Sequence, residues 1–416
     1  MQMQTSAAAR RKMKAATTTT TTFVSIMTLM ISILLTSGIC SMLDPKDFLA
    51  LQSIHSSLED MPGSTFLHDW DFSSDPCSFP GVLCNPAGRV VSLSLGDPRA
   101  GAPGLTGKLH PFIGRLSELT ELSLVPGRVY GPIPPTISLC QRLRFLALSE
   151  NFLSGTIPPS LSSLHSLQTL DLSFNLLSGQ IPQSLPRLSE LSTLILSHNR
   201  LSGNIPATFD SSSRLLRLDL KHNNLHGEIP PLPASLRYLS LSSNNLSGYV
   251  AGVLPRLRML NYLDLSSNQL SGQIPSEIFS IPSLSVLLLQ RNRFSGEVRP
   301  EGRVVIGRVD LSYNRLSGEV PEELAAVESL YLNSNRFTGA VPTSFVERLM
   351  GSGLQVLYLQ HNFLTGIEIA PAAKIPGTAA ICLRYNCMVP PVGESCPGNA
   401  GEKRARSPEQ CPEWRG

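Results

Sequence analysis

Acidic and imidazole side chains recur in this 416-residue chain at regular spacings that would suit proton transfer. Four aspartates directly precede a leucine, and these are Asp171, Asp219, Asp264 and Asp310. Three histidines directly precede an asparagine, and these are His198, His222 and His361. A general acid or base needs a particular geometry at one site, whereas these positions are set by a repeated pattern. We therefore interpret the histidines as surface residues and the aspartates as solvated strand residues, and we predict no catalytic residue and no enzymatic activity.

The pattern that sets these positions is L-x-x-L-x-L-x-x-N. Ten asparagines close its copies at intervals of 21 to 27 residues, and these are Asn151, Asn175, Asn199, Asn223, Asn244, Asn268, Asn292, Asn314, Asn335 and Asn362. Two weaker copies precede them at Val90–Leu95 and Leu119–Leu124, which makes about twelve units between residues 90 and 377. The alternating leucines point to one side of a short strand, so stacked units share a continuous core. We expect each asparagine amide to bond backbone groups of its own turn and of the adjacent turn.

A second signature follows each asparagine. The segment LSGxIP occurs at Leu153–Pro158, Leu177–Pro182, Leu201–Pro206 and Leu270–Pro275. With it the chain resembles plant extracellular leucine-rich-repeat proteins, namely receptor-kinase ectodomains, receptor-like proteins and polygalacturonase inhibitors. The resemblance implies an α/β repeat solenoid, a right-handed superhelix with a parallel concave sheet and a short second sheet at Ser-Gly-x-Ile-Pro. It also implies capped ends, with an amino-terminal cap at residues 42–89.

The first 41 residues predict a signal peptide. Four basic residues (Arg10, Arg11, Lys12 and Lys14) precede the apolar run Phe23–Leu35, and small residues follow it. A signal anchor is the alternative, but it needs about 18 apolar residues. Cleavage after Gly38, Cys40 or Ser41 leaves a mature chain near neutrality, with no membrane span and no basic domain for nucleic acid. We therefore expect secretion to the extracellular space or the cell wall.

Cysteines cluster at the two ends of the repeat array. We predict disulfides among Cys77, Cys84, Cys382, Cys387, Cys396 and Cys411, as in secreted chains. The first two belong to the amino-terminal cap, and the pairing of the other four stays open. We place the carboxyl cap at residues 378–396 and a polar tail at residues 397–416. Cys140 is predicted to be a buried free thiol, and a metal site is disfavoured because no histidine pair stands near either cluster; no cofactor is predicted.

Function is expected on the outward positions of the concave strands. The predicted partner-binding residues are Arg217, Tyr238, Tyr262, Val286, Leu288, Arg308, Tyr331, Val356 and Tyr358. Tyrosine and arginine dominate binding hot spots, and gathered apolar side chains indicate contact. The alternative is cross-strand packing without a partner. Asn245 heads the acceptor Asn-Leu-Ser and is predicted to be glycosylated.

These features predict a secreted recognition protein that binds an extracellular protein or peptide. It would act as a partner of a receptor kinase or as an inhibitor of a wall-degrading enzyme. The alternative is a structural cell-wall protein that binds polysaccharide.

Overall fold

The computed structural model describes residues 43–96, 104–124, 126–369, 375–391 and 394–411. The predicted signal peptide lies outside these residues. The described residues form a solenoid whose leucines face a continuous core, as the repeat predicts. Leu170, Leu194, Leu218 and Leu239 hold the same position in successive units and have no exposed surface.

Fourteen short strands form one sheet along the concave side, with strands numbered along the chain. They are β2 (Val82–Cys84), β3 (Val90–Leu95), β5 (Glu121–Leu124), β7 (Phe145–Ala147), β9 (Thr169–Asp171), β11 (Thr193–Ile195), β13 (Arg217–Asp219), β15 (Tyr238–Ser240), β17 (Tyr262–Asp264), β19 (Val286–Leu288), β21 (Arg308–Asp310), β23 (Ser329–Tyr331), β26 (Val356–Tyr358) and β28 (Ala380–Cys382). The pair β2–β3 is antiparallel and every later pair is parallel. The expected parallel concave sheet is therefore confirmed.

The second sheet follows the Ser-Gly segments and is interrupted twice. Its eight-stranded part comprises β1 (Leu58–Asp60), β4 (Leu105–Lys108), β6 (Arg128–Gly131), β8 (Phe152–Gly155), β10 (Leu176–Gln180), β12 (Arg200–Gly203), β14 (Asn224–Gly227) and β16 (Asn245–Leu246). Its four-stranded part comprises β18 (Ser271–Gly272), β20 (Arg293–Glu297), β22 (Arg315–Glu319) and β24 (Arg336–Thr338). A final pair joins β25 (Ala340–Val341) to β27 (Gly366–Ile367). The break between β16 and β18 is crossed by a single bridge from Tyr249 to Ser271.

The convex side returns the chain mainly through 3-10 turns. Within the repeats these are Pro111–Arg115, Pro135–Leu139, Pro159–Ser163, Leu185–Arg187, Ala207–Ser211, Leu254–Arg256, Ser276–Ser280 and Glu322–Ala326. Three more lie outside the repeats, at Pro76–Ser78, Gly398–Ala400 and Pro408–Gln410. Helix α1 (Pro45–His55) belongs to the amino-terminal cap, and helix α2 (Thr343–Met350) fills the longer return of the eleventh unit.

The asparagines connect neighbouring units as predicted. In Asn268, Oδ1 accepts from the Leu246 N–H at 3.0 Å, while Nδ2 donates to the carbonyls of Leu241 at 2.9 Å and Leu265 at 3.2 Å. The same pair of inter-unit bonds recurs at Asn175, Asn199, Asn223, Asn244, Asn292, Asn314, Asn335 and Asn362. Each buried amide thus satisfies backbone groups that the turn would otherwise leave without partners.

One asparagine of this kind was missed in the sequence. Asn386 stands 24 residues after Asn362. It donates to the Leu359 carbonyl at 3.0 Å and accepts from the Leu364 N–H at 3.0 Å. The repeat array predicted to end at residue 377 therefore continues for one more unit, inside the segment assigned to the carboxyl cap.

The residue before each of these asparagines has a left-handed backbone, with φ between 52° and 62°. These residues are Glu150, Phe174, His198, His222, Ser243, Ser267, Arg291, Tyr313, Ser334, His361 and Tyr385. Such a conformation costs about 1 kcal/mol or more for a residue other than glycine. The asparagine bonds must offset that cost at every turn, and the side chains of this position line up along one edge of the concave sheet.

The caps contain the predicted disulfides. Cys77 pairs with Cys84, Cys382 with Cys396, and Cys387 with Cys411. Beside the first of them, Phe79 stacks on Trp70 with ring centroids 5.5 Å apart.

The Cys387–Cys411 bond corrects the predicted tail. The segment beyond Cys396 does not leave the fold, because Cys411 and Ala400 are buried and Asn386 bridges to Ala405. The cap therefore reaches Cys411.

Cys140 is a free, fully buried thiol that donates to the Ile113 carbonyl at 3.4 Å. Burial raises its pKa to about 12, so the sulfur stays protonated and unreactive at neutral pH.

Candidate partner-binding face

The concave strands present two outward positions each, and the sheet register sets them side by side. The residue at the first position runs in order through Arg217, Tyr238, Tyr262, Val286, Arg308, Ser329 and Val356. The second position runs through Asp219, Ser240, Asp264, Leu288, Asp310, Tyr331 and Tyr358. The nine residues predicted to bind a partner therefore share one face, which we name the concave patch.

The first cluster of the concave patch is a tyrosine stack. The rings of Tyr238 and Tyr262 lie 4.6 Å apart between centroids and are parallel to within 5°. The Arg217 guanidinium lies 4.2 Å above the Tyr238 ring. Burial raises the pKa of both tyrosine hydroxyls, so they remain neutral donors at physiological pH. This cluster offers a rigid aromatic surface with an arginine at one end.

The second cluster joins the last strands. Tyr331 and Tyr358 meet edge to face with centroids 5.4 Å apart. The Arg308 guanidinium lies 5.1 Å from the centre of the Tyr331 ring, so Arg308 belongs to this cluster rather than to the end of the first. Val286 and Leu288 stand between the two clusters and are half-buried. The structure thus brings all nine predicted residues into one continuous strip.

The sequence predicts that the aspartates on this face are solvated, but the structure buries three of the four. Asp219, Asp264 and Asp310 are 2%, 8% and 7% exposed, and only Asp171 is open to water to a larger degree. Burial raises the pKa of Asp219 and of Asp310. The interpretation was wrong because the repeat pattern sets the direction of each side chain but does not report how closely the neighbouring residues pack around it.

A shared local geometry orients three of these carboxylates. In Asp171, Asp264 and Asp310, Oδ1 accepts both the N–H and the hydroxyl of the serine two residues later, at 2.9 to 3.0 Å and 2.6 Å. The sequence signal for this geometry is the triplet D-L-S, and it was missed. Asp219 has Lys221 at that place and instead pairs with Arg217 at 3.6 Å.

Polar atoms without partners concentrate on the same face. Among the described residues, five buried side-chain atoms form no hydrogen bond, and four of these lie on the concave side: Arg217 Nε, Ser240 Oγ, Gln290 Oε1 and Gln360 Oε1. Each such atom costs about 1–3 kcal/mol when it stays unpaired. The concave patch and the residues next to it on the same face therefore carry unused hydrogen-bonding capacity that a bound molecule could satisfy.

The histidines form a different feature beside the concave patch. Phe174, His198 and His222 stack in sequence along the sheet edge, with centroid separations of 4.0 Å and 4.3 Å. We name these three residues the edge column. His222 is exposed, whereas His198 is half-buried between its neighbours and His361 bonds the Ala400 carbonyl at 2.9 Å. Their shared placement was predicted, but its stacking was not.

Asn245 opens β16 and is exposed, one residue past Asn244. Its side chain lies on the second sheet, away from the concave patch. The position is sterically open to a glycan, and glycosylation there stays a prediction.

Within the residues that the structure describes, no helix combines the length and the apolar character that crossing a bilayer requires.

Comparisons with known families and proteins agree with this architecture. Residues 44–85 match the leucine rich repeat N-terminal domain, and residues 141–201, 214–236 and 234–294 match leucine rich repeats. A probable inactive leucine-rich repeat receptor-like protein kinase of Arabidopsis thaliana is 42% identical over 77 residues, which is 18% of this chain and 10% of that protein.

Two solved structures superpose on much of the chain. The crystal structure of PEPR1 with AtPEP1 gives a TM-score of 0.67 at 29% identity and covers 82% of this chain and 55% of that one. The plant peptide hormone receptor RGFR1 in complex with RGF2 gives 0.62 at 28% identity, covering 71% and 54%. The chain thus spans a tenth of that kinase and about half of each superposed chain. It carries a leucine-rich-repeat N-terminal domain and leucine-rich repeats, and it is homologous to the ectodomains of plant leucine-rich-repeat receptor kinases.

Proposed function

We infer that the chain is a secreted, non-enzymatic recognition protein that binds an extracellular protein or peptide through the concave patch. One observation carries this function. Tyrosines, arginines and buried polar atoms without partners occupy the same strip of the concave sheet, from Arg217 to Gln360. Aromatic and arginine side chains supply most of the energy in protein interfaces, and unpaired polar atoms gain most from a complementary ligand.

The comparisons support recognition as the class of function, because RGFR1 is described as a plant peptide hormone receptor in complex with RGF2, and PEPR1 was solved together with AtPEP1. Secretion is supported by the predicted signal peptide and by three disulfides, which persist in oxidising compartments. The partner is a receptor kinase, with this chain as a member of the receptor complex, or a wall-degrading enzyme, with this chain as its inhibitor.

A structural role on wall polysaccharide is the second candidate, and one surface favours it. Arg293, Arg315 and Arg336 head successive strands of the second sheet, are exposed, and form no ion pair with any described residue. Arg315 pairs in register with Ser295, and Arg336 with Ser317. The arginines are therefore diagonal neighbours, whose long side chains are within reach of one another and repel. An acidic polysaccharide would relieve this repulsion.

The test captures partners with the full chain, produced by secretion and incubated with plant extracellular fluid before cross-linking and mass spectrometry. We expect a receptor kinase or a wall hydrolase to be enriched. The double variant Tyr238→Ala/Tyr262→Ala should weaken its binding about thirtyfold or more, because tyrosine hot spots contribute about 2 kcal/mol or more.

The matched control is Tyr130→Ala/Tyr249→Ala, which removes two exposed tyrosines of the second sheet. It should bind as the wild type does. Equal capture by Tyr238→Ala/Tyr262→Ala would contradict binding through the concave patch. Retention on wall polysaccharide with no protein enriched would favour the structural role.

A further inference from the structure

Four adjacent strands place Ser240, Asp264, Leu288 and Asp310 in one row across the floor of the concave patch. We name these four residues the acidic row. It runs parallel to the row that contains the stacked Tyr238 and Tyr262, so an aromatic wall stands along one side of it.

In both carboxylates of the acidic row, hydrogen bonds to one oxygen fix the orientation of the group, and the other oxygen has no protein partner among the described residues. Oδ1 of Asp264 accepts two bonds from Ser266, and Oδ1 of Asp310 accepts two from Ser312. Oδ2 of each forms no hydrogen bond or ion pair with a described residue. Both residues are more than nine-tenths buried. A buried carboxylate without a cation is costly, because desolvation penalises the charged form.

No described cation forms an ion pair with either carboxylate, and the Arg308 charge acts on Asp310 only from a longer distance, where it lowers the pKa of that carboxyl against the larger rise caused by burial. Arg217 pairs with Asp219 instead. Arg308 stands on the same strand as Asp310, yet its guanidinium lies against the Tyr331 ring rather than within ion-pair distance of the carboxylate. Asp264 forms no ion pair with any described residue.

Ser240 gives a second, independent sign of a ligand. It is fully buried and is the register neighbour of Asp264. It lies near the Tyr238 side chain, but its hydroxyl forms no hydrogen bond of ordinary geometry. An ammonium or guanidinium group carries several donors and could reach Asp264 Oδ2 and Ser240 Oγ together.

The spacing of the row sets the form of the ligand. Asp264 and Asp310 are two strands apart, which is about 9.6 Å at the usual strand separation of about 4.8 Å. A polyproline-II backbone repeats every three residues and rises about 9.3 Å in doing so. It also needs no hydrogen-bonded ladder, which suits a peptide that crosses the face of a sheet rather than its edge. Leu288, between the two carboxylates, would contact the side chains in between.

We propose that the acidic row binds an extended basic peptide, with one lysine or arginine at Asp264 and a second, three residues along the peptide, at Asp310. The proposal rests on the proposed function, since it names the ligand chemistry of the same face. It excludes acidic peptides as primary ligands of this floor.

The test selects peptides from a random phage-displayed library on the immobilised full chain and measures the affinity of the synthetic selected peptides by calorimetry. The variant is Asp264→Asn/Asp310→Asn, which keeps an oxygen to accept the serine bonds and replaces only the free oxygens. The control is Asp171→Asn, whose carboxylate has the same serine geometry but lies outside the concave patch. A further variant, Tyr238→Ala/Tyr262→Ala, tests whether a peptide uses the concave patch.

We expect selected peptides to carry two basic residues three apart, and to bind Asp264→Asn/Asp310→Asn about tenfold or more weakly while binding Asp171→Asn normally. Replacing both basic residues of the peptide by glutamine should cause the same loss on the wild-type chain. This second measurement holds even if the double variant folds poorly.

Peptides that need Tyr238 and Tyr262 but bind the aspartate variant fully, or that lack basic residues, would overturn the acidic row as the binding site and leave the proposed function standing. Recovery of no peptide that depends on the tyrosines would count against both.

Discussion

At the residue scale, the side chains that connect units are distinguishable from those that meet a ligand. Asn268 makes four hydrogen bonds, three donated to carbonyls and one accepted from an N–H, and none of them reaches the concave surface. Asp264 makes two bonds with one oxygen and none with the other. A residue whose polar atoms are all used is structural, whereas one with a spare oriented atom is available to a partner.

The repeat asparagines together form what we name the asparagine ladder. Replacing one of them should therefore lower the free energy of unfolding without removing a residue that contacts a partner. Asn268→Ala leaves the Leu246 N–H buried and unpaired, and it removes one of the two hydrogen bonds at the Leu241 carbonyl, which still accepts from Asn244. We therefore expect the free energy of unfolding to fall by about 2 kcal/mol. Chemical denaturation followed by circular dichroism measures it. Asn224→Ala, at an exposed asparagine beside the ladder, should change stability by less than about 0.5 kcal/mol. If both changes lowered the free energy of unfolding equally, the hydrogen bonds of the asparagine ladder would contribute no more to stability than an exposed asparagine does.

At the element scale, register explains both what could be predicted and what could not. The order of Arg217, Tyr238 and Tyr262 along the sheet follows from counting residues between asparagines, because strand alternation sets the direction of each side chain. The burial of Asp264 could not be predicted in this way, because it depends on how the neighbouring side chains pack around it.

Departures from the consensus limited the rest of the sequence reasoning. Asn386 was missed because Thr378 and Ile381 stand where the pattern has leucine. The pairing of Cys382, Cys387, Cys396 and Cys411 needed coordinates, because spacing alone permits three pairings.

The edge column should make stability depend on pH. Burial, with smaller contributions from His222 and Lys221, lowers the pKa of His198 below its ordinary value of 6.5. Between these two pKa values His198 binds a proton in the unfolded chain but not in the folded chain. The free energy of unfolding therefore decreases as pH falls from about 6.5 through the lower folded pKa. We expect the melting temperature of the wild type to fall more between about pH 8 and about pH 5 than that of His198→Phe.

Phenylalanine is suitable at this position because Phe174 already occupies the equivalent turn with a positive φ. His226→Phe, at an exposed histidine outside the edge column, is the control and should leave the pH dependence of melting unchanged. If His198→Phe melts with the wild-type pH dependence, the stacked histidine is not responsible for it.

At the scale of the whole molecule, stability is a sum of unit and neighbour contributions, and the ends are the weakest places. The carboxyl cap counters this weakness with the Cys387–Cys411 bond and with Arg406, whose guanidinium lies over Phe363 at 4.0 Å and Tyr385 at 4.6 Å. The segment beyond Cys396 therefore covers the last units rather than trailing from them.

Removing that bond should loosen one end only. The change Cys387→Ala/Cys411→Ala opens a loop of 24 residues, and loops of that size contribute about 3 kcal/mol. Amide hydrogen exchange should show protection lost in β26 and β28 while β9 to β13 keep theirs, because units contact only their neighbours. Uniform loss of protection along the sheet would indicate instead that the array unfolds as one cooperative body.

The asparagine ladder also bears on how such a chain can change over evolutionary time. Each repeat asparagine bonds the unit before it and its own turn. These bonds form whether consecutive asparagines are 21 or 27 residues apart. Duplication or deletion of one complete unit would therefore preserve the hydrogen bonds of every remaining repeat asparagine. It would change only the distance between the surface clusters on either side of that unit. Inserted between the tyrosine stack and the second aromatic cluster, a unit would move them apart by about 4.8 Å, the separation of two strands. The lineage can thus alter the length of ligand that this face accommodates in discrete steps, without redesigning the core.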